Sequence, residues 1–82
     1  MGKKVYVGNI SPDADQASLK TLFSVFGKVE KAYIVTDRKT GKSKGFGFVE
    51  MSSDVEAKAA IEALNGKDCG GFTVKVSEAK SG

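Results

Sequence analysis

Between Lys44 and Met51 the chain reads Lys-Gly-Phe-Gly-Phe-Val-Glu-Met, two phenylalanines bracketed by a lysine and a glutamate and interleaved with glycine. In an extended chain successive side chains alternate between two faces. Lys44, Phe46, Phe48 and Glu50 then share one face, and Gly45, Gly47, Val49 and Met51 share the other. A half-buried strand ordinarily turns its large apolar groups inward and its charges outward. Here the two patterns conflict. Were the phenylalanine face the core, two charges would need buried partners and two glycines would be left outside. Were it open to solvent, each ring would forgo about 1.5–3 kcal/mol of burial. A ligand that covers the rings resolves the conflict. A flat aromatic beside lysine suits a nucleobase carried on a phosphate backbone.

The elements that must position this strand follow from the rest of the chain. Lys4-Val5-Tyr6-Val7-Gly8 alternates, with Val5 and Val7 on one face and Tyr6 on the other, and reads as a first strand. Ser11-Pro12-Asp13 is turn chemistry. Asp15 is an N-cap for a helix to about Phe26, because its carboxylate can accept from the unpaired amides of the first turn. Leu19, Leu22, Phe23 and Phe26 form one apolar stripe, which makes the two phenylalanines core residues, and Gly27 follows as a left-handed stop. Val29 to Thr36 reads as a second strand, with Ala32 and Ile34 inward and Lys31, Tyr33 and Val35 outward. A polar turn over 37–43 leads into the third strand, the octet itself.

Ser53-Asp54-Val55-Glu56 has the spacing of a capping box, in which hydroxyl and carboxylate each satisfy a free amide. The helix that follows carries Ala57, Ala60, Ile61 and Leu64 on one side, and its small residues are expected to lie close to the sheet opposite Gly45 and Gly47. Asn65-Gly66 ends it. Lys67 to Gly71 reads as a flexible loop, and Phe72 to Ser77 as one last strand with Val74 and Val76 inward, Lys75 and Ser77 outward, and Phe72 at an edge. The tail from Glu78 is expected to fray.

Strand-helix-strand-strand-helix-strand is the ferredoxin-like α+β order, here as a single domain over 1–82 with a core of about 4–79. Two amphipathic helices cover one face of a four-stranded antiparallel sheet, and nothing remains to cover the other. That face would carry Tyr6, Tyr33, Phe46 and Phe48, rimmed by Lys4, Lys31, Lys44 and Lys75. A patch of this kind marks a binding surface.

Composition narrows the chemistry. One cysteine and no histidine among 82 residues exclude an internal disulfide framework, a Cys/His zinc site and a histidine-based triad. Cys69 reads as a small apolar core or loop residue, in keeping with a reducing, intracellular setting. No apolar run reaches membrane-spanning length, and the polar start of the chain is unlike a signal peptide. The net charge of +3 is a mild basic bias, but Arg38, Lys39, Lys42 and Lys44 fall close together with no acid among them. A basic loop beside an aromatic strand is consistent with phosphate contacts.

The octet also matches the pattern K/R-G-F/Y-G/A-F-V-x-F/Y at every fixed position but the last, where Met51 stands for an aromatic. That is the RNP1 signature of the RNA recognition motif family. Val5-Tyr6-Val7-Gly8-Asn9-Ile10 resembles the second signature, RNP2, with its aromatic at the second position. The chain thus resembles an RNA recognition motif from Val5 to about Ala79. Within that family it looks most like the short single-domain proteins of bacteria and the corresponding part of plant glycine-rich RNA-binding proteins, without their glycine-rich tail.

The resemblance implies that Tyr6 and Phe48 stack adjacent bases, that Phe46 lies against the intervening riboses, and that Lys44 meets a phosphate. Single-stranded RNA suits such a surface because its bases can splay onto a flat sheet. Single-stranded DNA remains an alternative, since the distinction rests on the 2′-hydroxyl. Base choice would fall to strand-edge groups and to residues such as Asn9, Glu50, Lys75, Ser77 and Glu78, with Arg38 and Lys42 as further cations.

The implied protein is a monomer that binds nucleic acid in the cytoplasm, or in the nucleus of a eukaryote. It needs no cofactor, metal, membrane or small-molecule substrate. A protein-interaction module of the same fold is a rival, although such domains typically lose the signature aromatics that this chain keeps. An enzyme of this topology, such as an acyl-phosphate hydrolase, would need an anion-cradling arginine, and the only arginine is Arg38 in a loop. Gly41-Lys42-Ser43 resembles the end of a phosphate-binding loop, but it leads into a strand instead of a helix N-terminus. No catalytic residues are expected.

Overall fold

The computed structural model describes residues 3–69 and 71–79, the side chain of Cys69 excepted. Strand β1 (Lys4–Gly8) is followed by helix α1 (Gln16–Ser24), strands β2 (Val29–Thr36) and β3 (Ser43–Met51), and helix α2 (Asp54–Leu64). Three short strands complete it: β4 (Asp68–Cys69), β5 (Phe72–Thr73) and β6 (Lys75–Glu78). The main sheet has the order β2-β3-β1-β6 with every neighbour antiparallel, and β4 and β5 form a separate two-stranded ribbon. This is the ferredoxin-like arrangement expected from the element order.

Alternation puts Val5 and Val7 of β1, Val49 and Met51 of β3, and Val76 of β6 on the helix side. There they join Leu19 and Phe23 of α1 and Ala57, Ala60 and Leu64 of α2 in one core. Met51, the departure from the RNP1 pattern, is fully buried. An aromatic is therefore not needed at that position to close the core. Leu22, Phe26, Ala32, Ile34 and Ile61 pack around its margin, half-buried.

Both helices start where the side chains say they should. Asp15 accepts from the Ser18 amide at 2.8 Å and from the Ser18 hydroxyl at 2.9 Å, which holds its carboxyl below the ordinary 3.8. Helix α1 ends at Ser24, two residues before Phe26, because the Phe26 amide folds back to the Phe23 carbonyl at 3.0 Å in a tighter turn. Gly27 then takes a φ of 153°.

At α2 the Ser53 hydroxyl accepts from the Glu56 amide at 3.3 Å, as a capping box requires. The Glu56 carboxylate does not complete the box in the usual way. It accepts from the Ser52 hydroxyl and, at 3.3 Å, from the Lys28 amide at the start of β2. Glu56 thereby ties α2 to the turn after α1. A β-carbon on Gly27 would run into this carboxylate, so the glycine serves both its own backbone angle and that contact.

Four expectations are corrected. The last strand is not continuous from Phe72 to Ser77: it breaks at Val74, whose amide donates to the Lys67 carbonyl and whose carbonyl accepts from the Gly66 amide. The segment from Lys67 is accordingly not a plain loop, for Asp68 and Cys69 pair with Thr73 and Phe72. The glycines of β3 do not face α2. A β-carbon on Gly47 would meet the Tyr33 carbonyl, Ile34 Cα at 3.0 Å and Leu19 Cδ1 at 3.3 Å, so Gly47 admits β2 and α1. Gly45 has a φ of 87° and marks an irregularity in the β2–β3 pairing between Ile34 and Thr36. The tail expected to fray from Glu78 is still paired there, for Glu78 lies opposite Val5 in β6 and the Ala79 amide donates to the Lys4 carbonyl at 2.8 Å. The expectations for the tail beyond Ala79 and for the side chain of Cys69 lie outside the described residues.

The outer edge of β6 is met at Val76 from within the chain. The Val76 amide donates to Asn65 Oδ1 at 3.1 Å, beside the two backbone bonds that Gly66 and Lys67 make to Val74. The opposite edge is β2.

Candidate nucleic-acid interface

The strand register builds the helix-free face in three rows. Lys31, Glu50 and Lys4 stand opposite one another across β2, β3 and β1. The next row is Tyr33, Phe48, Tyr6 and Ser77, reaching β6. Phe46, Gly8 and Lys75 form the third. Tyr6 and the two phenylalanines sit on the central strands, whose opposite side chains include the buried Val5, Val7, Val49 and Met51. Tyr33 sits on β2 above the half-buried Ala32 and Ile34, so the platform is held by the core beneath it. The rings themselves are only half-buried.

Their geometry is that of one continuous cluster. Tyr6 lies 5.9 Å from Phe46 and 5.9 Å from Phe48, centroid to centroid, and Phe46 and Phe48 are 6.2 Å apart and perpendicular. Tyr33 extends the cluster onto β2 at 5.6 Å from Phe48. These separations are within the range of favourable tilted and edge-to-face pairs. The Lys4 ammonium stands over the cluster, 4.8 Å from the Phe48 centroid and 5.9 Å from that of Tyr33. A cation over aromatic faces is attracted by the ring quadrupole.

Gly8 is a contributor that alternation alone did not single out. A β-carbon there would lie 2.6 Å from the Tyr6 hydroxyl oxygen and 2.9 and 3.0 Å from ring carbons Cε2 and Cζ. The Tyr6 ring therefore rests on the bare backbone of Gly8, two residues along the same face. The signal in the sequence is the pairing of an aromatic with a glycine at i+2.

The remaining expected residues divide into those brought to this face and those not. Lys31 and Lys75 are exposed on its rim, and Ser77 is opposite Tyr6. Asn9, with a φ of 57°, uses its amide nitrogen to donate to the Thr73 carbonyl at 2.7 Å, anchoring the β4–β5 ribbon to the end of β1. Lys44 is exposed on the far side of the Gly45 irregularity, which interrupts the alternation used to assign its face.

Arg38 and Lys39 are exposed in the loop between β2 and β3. That loop is not an unanchored string. Asp37 Oδ1 accepts from the Lys39 amide, the Asp37 amide donates to the Lys42 carbonyl, and the Asp37 carbonyl accepts from the Gly41 amide. Lys42 borders a groove shared with Asp13, Asp15 and Gln16 at the start of α1, and so is turned toward the helix side of the sheet edge. Among the described residues no cluster of three or more cysteine, aspartate or glutamate side chains has the makings of a metal site. No described helix is long and apolar enough to cross a membrane.

Known proteins are similar to this chain in sequence and in architecture. A putative RNA-binding protein, RbpA, of Synechocystis is 47% identical over 93% of this chain and 75% of its own. Its counterpart RbpB of Nostoc is 49% identical over 93% of the chain and 74% of its own. Among solved structures, the RNA-binding protein PG1 superimposes with a TM-score of 0.92 at 40% identity, covering 95% of this chain and 94% of that one. The paired RNA recognition domains of Drosophila Sex-lethal give 0.90 at 32% identity, over 96% of this chain and 50% of theirs. The family model described as the RNA recognition motif matches residues 5–75, and with the fold and the aromatic face it establishes that the chain belongs to the RNA recognition motif family.

Proposed function

We propose that this protein binds single-stranded RNA by stacking bases on Tyr6 and Phe48, with Phe46 against the intervening riboses and lysines at the phosphates. The observation that carries the reading is the half-exposed ring cluster on the helix-free face, capped by the Lys4 ammonium 4.8 Å from Phe48. Four rings left half-exposed in an 82-residue domain are a costly use of apolar surface unless a ligand covers them. Bases unstacked from one another recover that surface, and each contributes about 1–3 kcal/mol. Tyr33 extends the stacking surface toward β2.

The cationic side chains divide by position. Lys4, Lys31 and Lys75 rim the rings, while Lys44, Arg38 and Lys39 lie where a phosphate chain would leave the sheet. Such contacts release counterions and position the strand without reading its sequence. Single-stranded DNA would meet the same rings, and the 2′-hydroxyl would decide between the two.

Two substitutions test the reading. Phe48→Ala is expected to weaken binding of a single-stranded RNA by about 1–3 kcal/mol with little change in salt dependence. Lys44→Ala is expected instead to flatten the slope of log K against log salt by about 0.7, the value for one phosphate on a single strand. Unchanged affinity for Phe48→Ala would overturn the stacking assignment. An unchanged slope for Lys44→Ala would remove that lysine from the phosphate path.

A further inference from the structure

One residue of the open face runs against the electrostatics of its neighbours. Lys4 and Lys31 suit a polyanion; Glu50, between them in the strand register, repels one. A carboxylate in the row of lysines that edges a phosphate-seeking surface lowers affinity for every strand unless it makes a contact of its own. Of the two cross-strand partners of Glu50, Lys31 and Lys4, the second holds its ammonium over the Phe48 and Tyr33 rings, so it is not simply the counter-ion of Glu50.

Placement gives Glu50 something to meet. It follows Phe48 by two residues on the same face of β3, a rise of about 6.5 Å along the strand. A base seated on Phe48 overhangs the ring, and its pairing edge then falls within the span of a glutamate side chain. Glu50 is itself half-buried at this position, beside the aromatic row.

The chemistry of the contact follows from the group. An ionised carboxylate accepts hydrogen bonds and donates none, and its two oxygens suit a bidentate pair of donors. Guanine offers adjacent N1–H and N2–H groups. Cytosine and adenine offer one amino group beside an acceptor nitrogen. Uracil offers a single N3–H between two carbonyl oxygens, which meet the carboxylate unfavourably.

We propose that Glu50 reads the base stacked on Phe48, favouring guanine through its paired N–H groups and disfavouring uracil. This rests on the stacking function proposed above and adds a sequence preference to it. Lys4 and Lys31 offset the charge that the reader brings to the face.

The test uses the full chain and short single-stranded RNAs, followed by fluorescence anisotropy. One strand is all uridine; others carry a central guanosine, inosine or cytidine. For the wild type the guanosine strand is expected to bind about tenfold more tightly than all-uridine, in line with a good bidentate pair. Inosine, which lacks the 2-amino group, is expected to lose most of that advantage. Glu50→Gln should lose most of the preference, since its amide presents one acceptor and also donates to uracil carbonyls. Glu50→Ala, with no hydrogen-bonding group, should lose it as well.

Equal strengthening of all strands by Glu50→Gln would show that Glu50 acts through charge alone and would overturn the proposal. Retention of the guanosine preference by Glu50→Ala would do the same. Failure of the wild type to bind any of the strands would instead overturn the RNA-stacking function on which it rests.

Discussion

Gly8→Ala separates the platform from the fold. The added methyl would lie 2.6 Å from the Tyr6 hydroxyl oxygen, where ordinary contact begins near 3.4 Å, so the ring tip must lift by roughly 0.8 Å. Nothing in the backbone opposes this, because the atoms met belong to the end of a half-exposed side chain. Holding the ring off its preferred rotamer costs about 0.5–1.5 kcal/mol, while replacing glycine by alanine recovers about 0.4–1 kcal/mol through the unfolded chain. The two nearly cancel, and the melting temperature should move by no more than about 4–8 °C.

Binding has no such offset. If the lifted ring forfeits half of a stacking contribution of about 1–3 kcal/mol, affinity for single-stranded RNA falls ~2- to 12-fold. Anisotropy titrations and thermal melts on the same preparations read both quantities. In a Tyr6→Ala background the glycine substitution should cost binding nothing further. Unchanged affinity of Gly8→Ala, or an equal loss with and without Tyr6, would refute the idea that Gly8 seats the ring.

Gly47→Ala should behave in the opposite way, because its methyl meets the Tyr33 carbonyl and Ile34 Cα, which are backbone. Overpacking of about 1–3 kcal/mol should lower the melting temperature by at least ~4 °C. An unshifted melt would show that β2 gives way easily. The Glu56 carboxyl is held below the ordinary 4.5, chiefly by the Ser52 hydroxyl and further by the Lys28 amide, against an opposing effect of burial. Its charged form is therefore favoured by folding, and the stability it contributes is present above 4.5 and lost as pH falls through the lowered value. Urea midpoints of wild type and Glu56→Gln should differ at neutral pH and converge in acid. A gap that stays constant with pH would assign Glu56 to packing alone. Replacing Arg38 and Lys39 together by Gln should weaken binding of unrelated RNA sequences by similar factors, with the salt slope reduced by about 0.7 per phosphate lost. Selective loss for one sequence would make the loop a base reader.

Local pattern was enough for the parts of this fold whose cause is local. Alternation located β1, β2 and β3, and side-chain oxygens at Asp15 and Ser53 located both helix starts. The ring face was legible for the same reason: parity alone puts Tyr6, Tyr33, Phe46 and Phe48 opposite the valines of the core. What escaped notice depends on partners distant in sequence. Parity says that Gly47 faces the helices but not which one, and only the order β2-β3-β1-β6 brings it under Leu19. The break at Val74 is set by bonds to Gly66 and Lys67, and no property of Phe72 to Ser77 announces it. The same holds for Glu56, whose carboxylate follows a capping pattern in sequence and yet serves Lys28, far back in the chain. The segment 37–43 reads as a polar turn, but that the carboxylate and backbone of Asp37 close it is visible only in the fold.

The seal that Asn65, Gly66 and Lys67 place on β6 bears on how copies of this protein behave in a crowded solution. An open sheet ordinarily has two sticky flanks, and a chain with both can add neighbours end on end into a filament. Here one flank of the main sheet is met at Val76 by the molecule's own turn, which leaves β2 as the more open flank of that sheet among the described residues. Association through the flanks of the main sheet would then favour pairs joined along β2 over longer arrays. Asn65→Leu would reopen the second flank at Val76, and slow fibrillar growth at high concentration, absent from the parent chain, is the outcome to look for by light scattering.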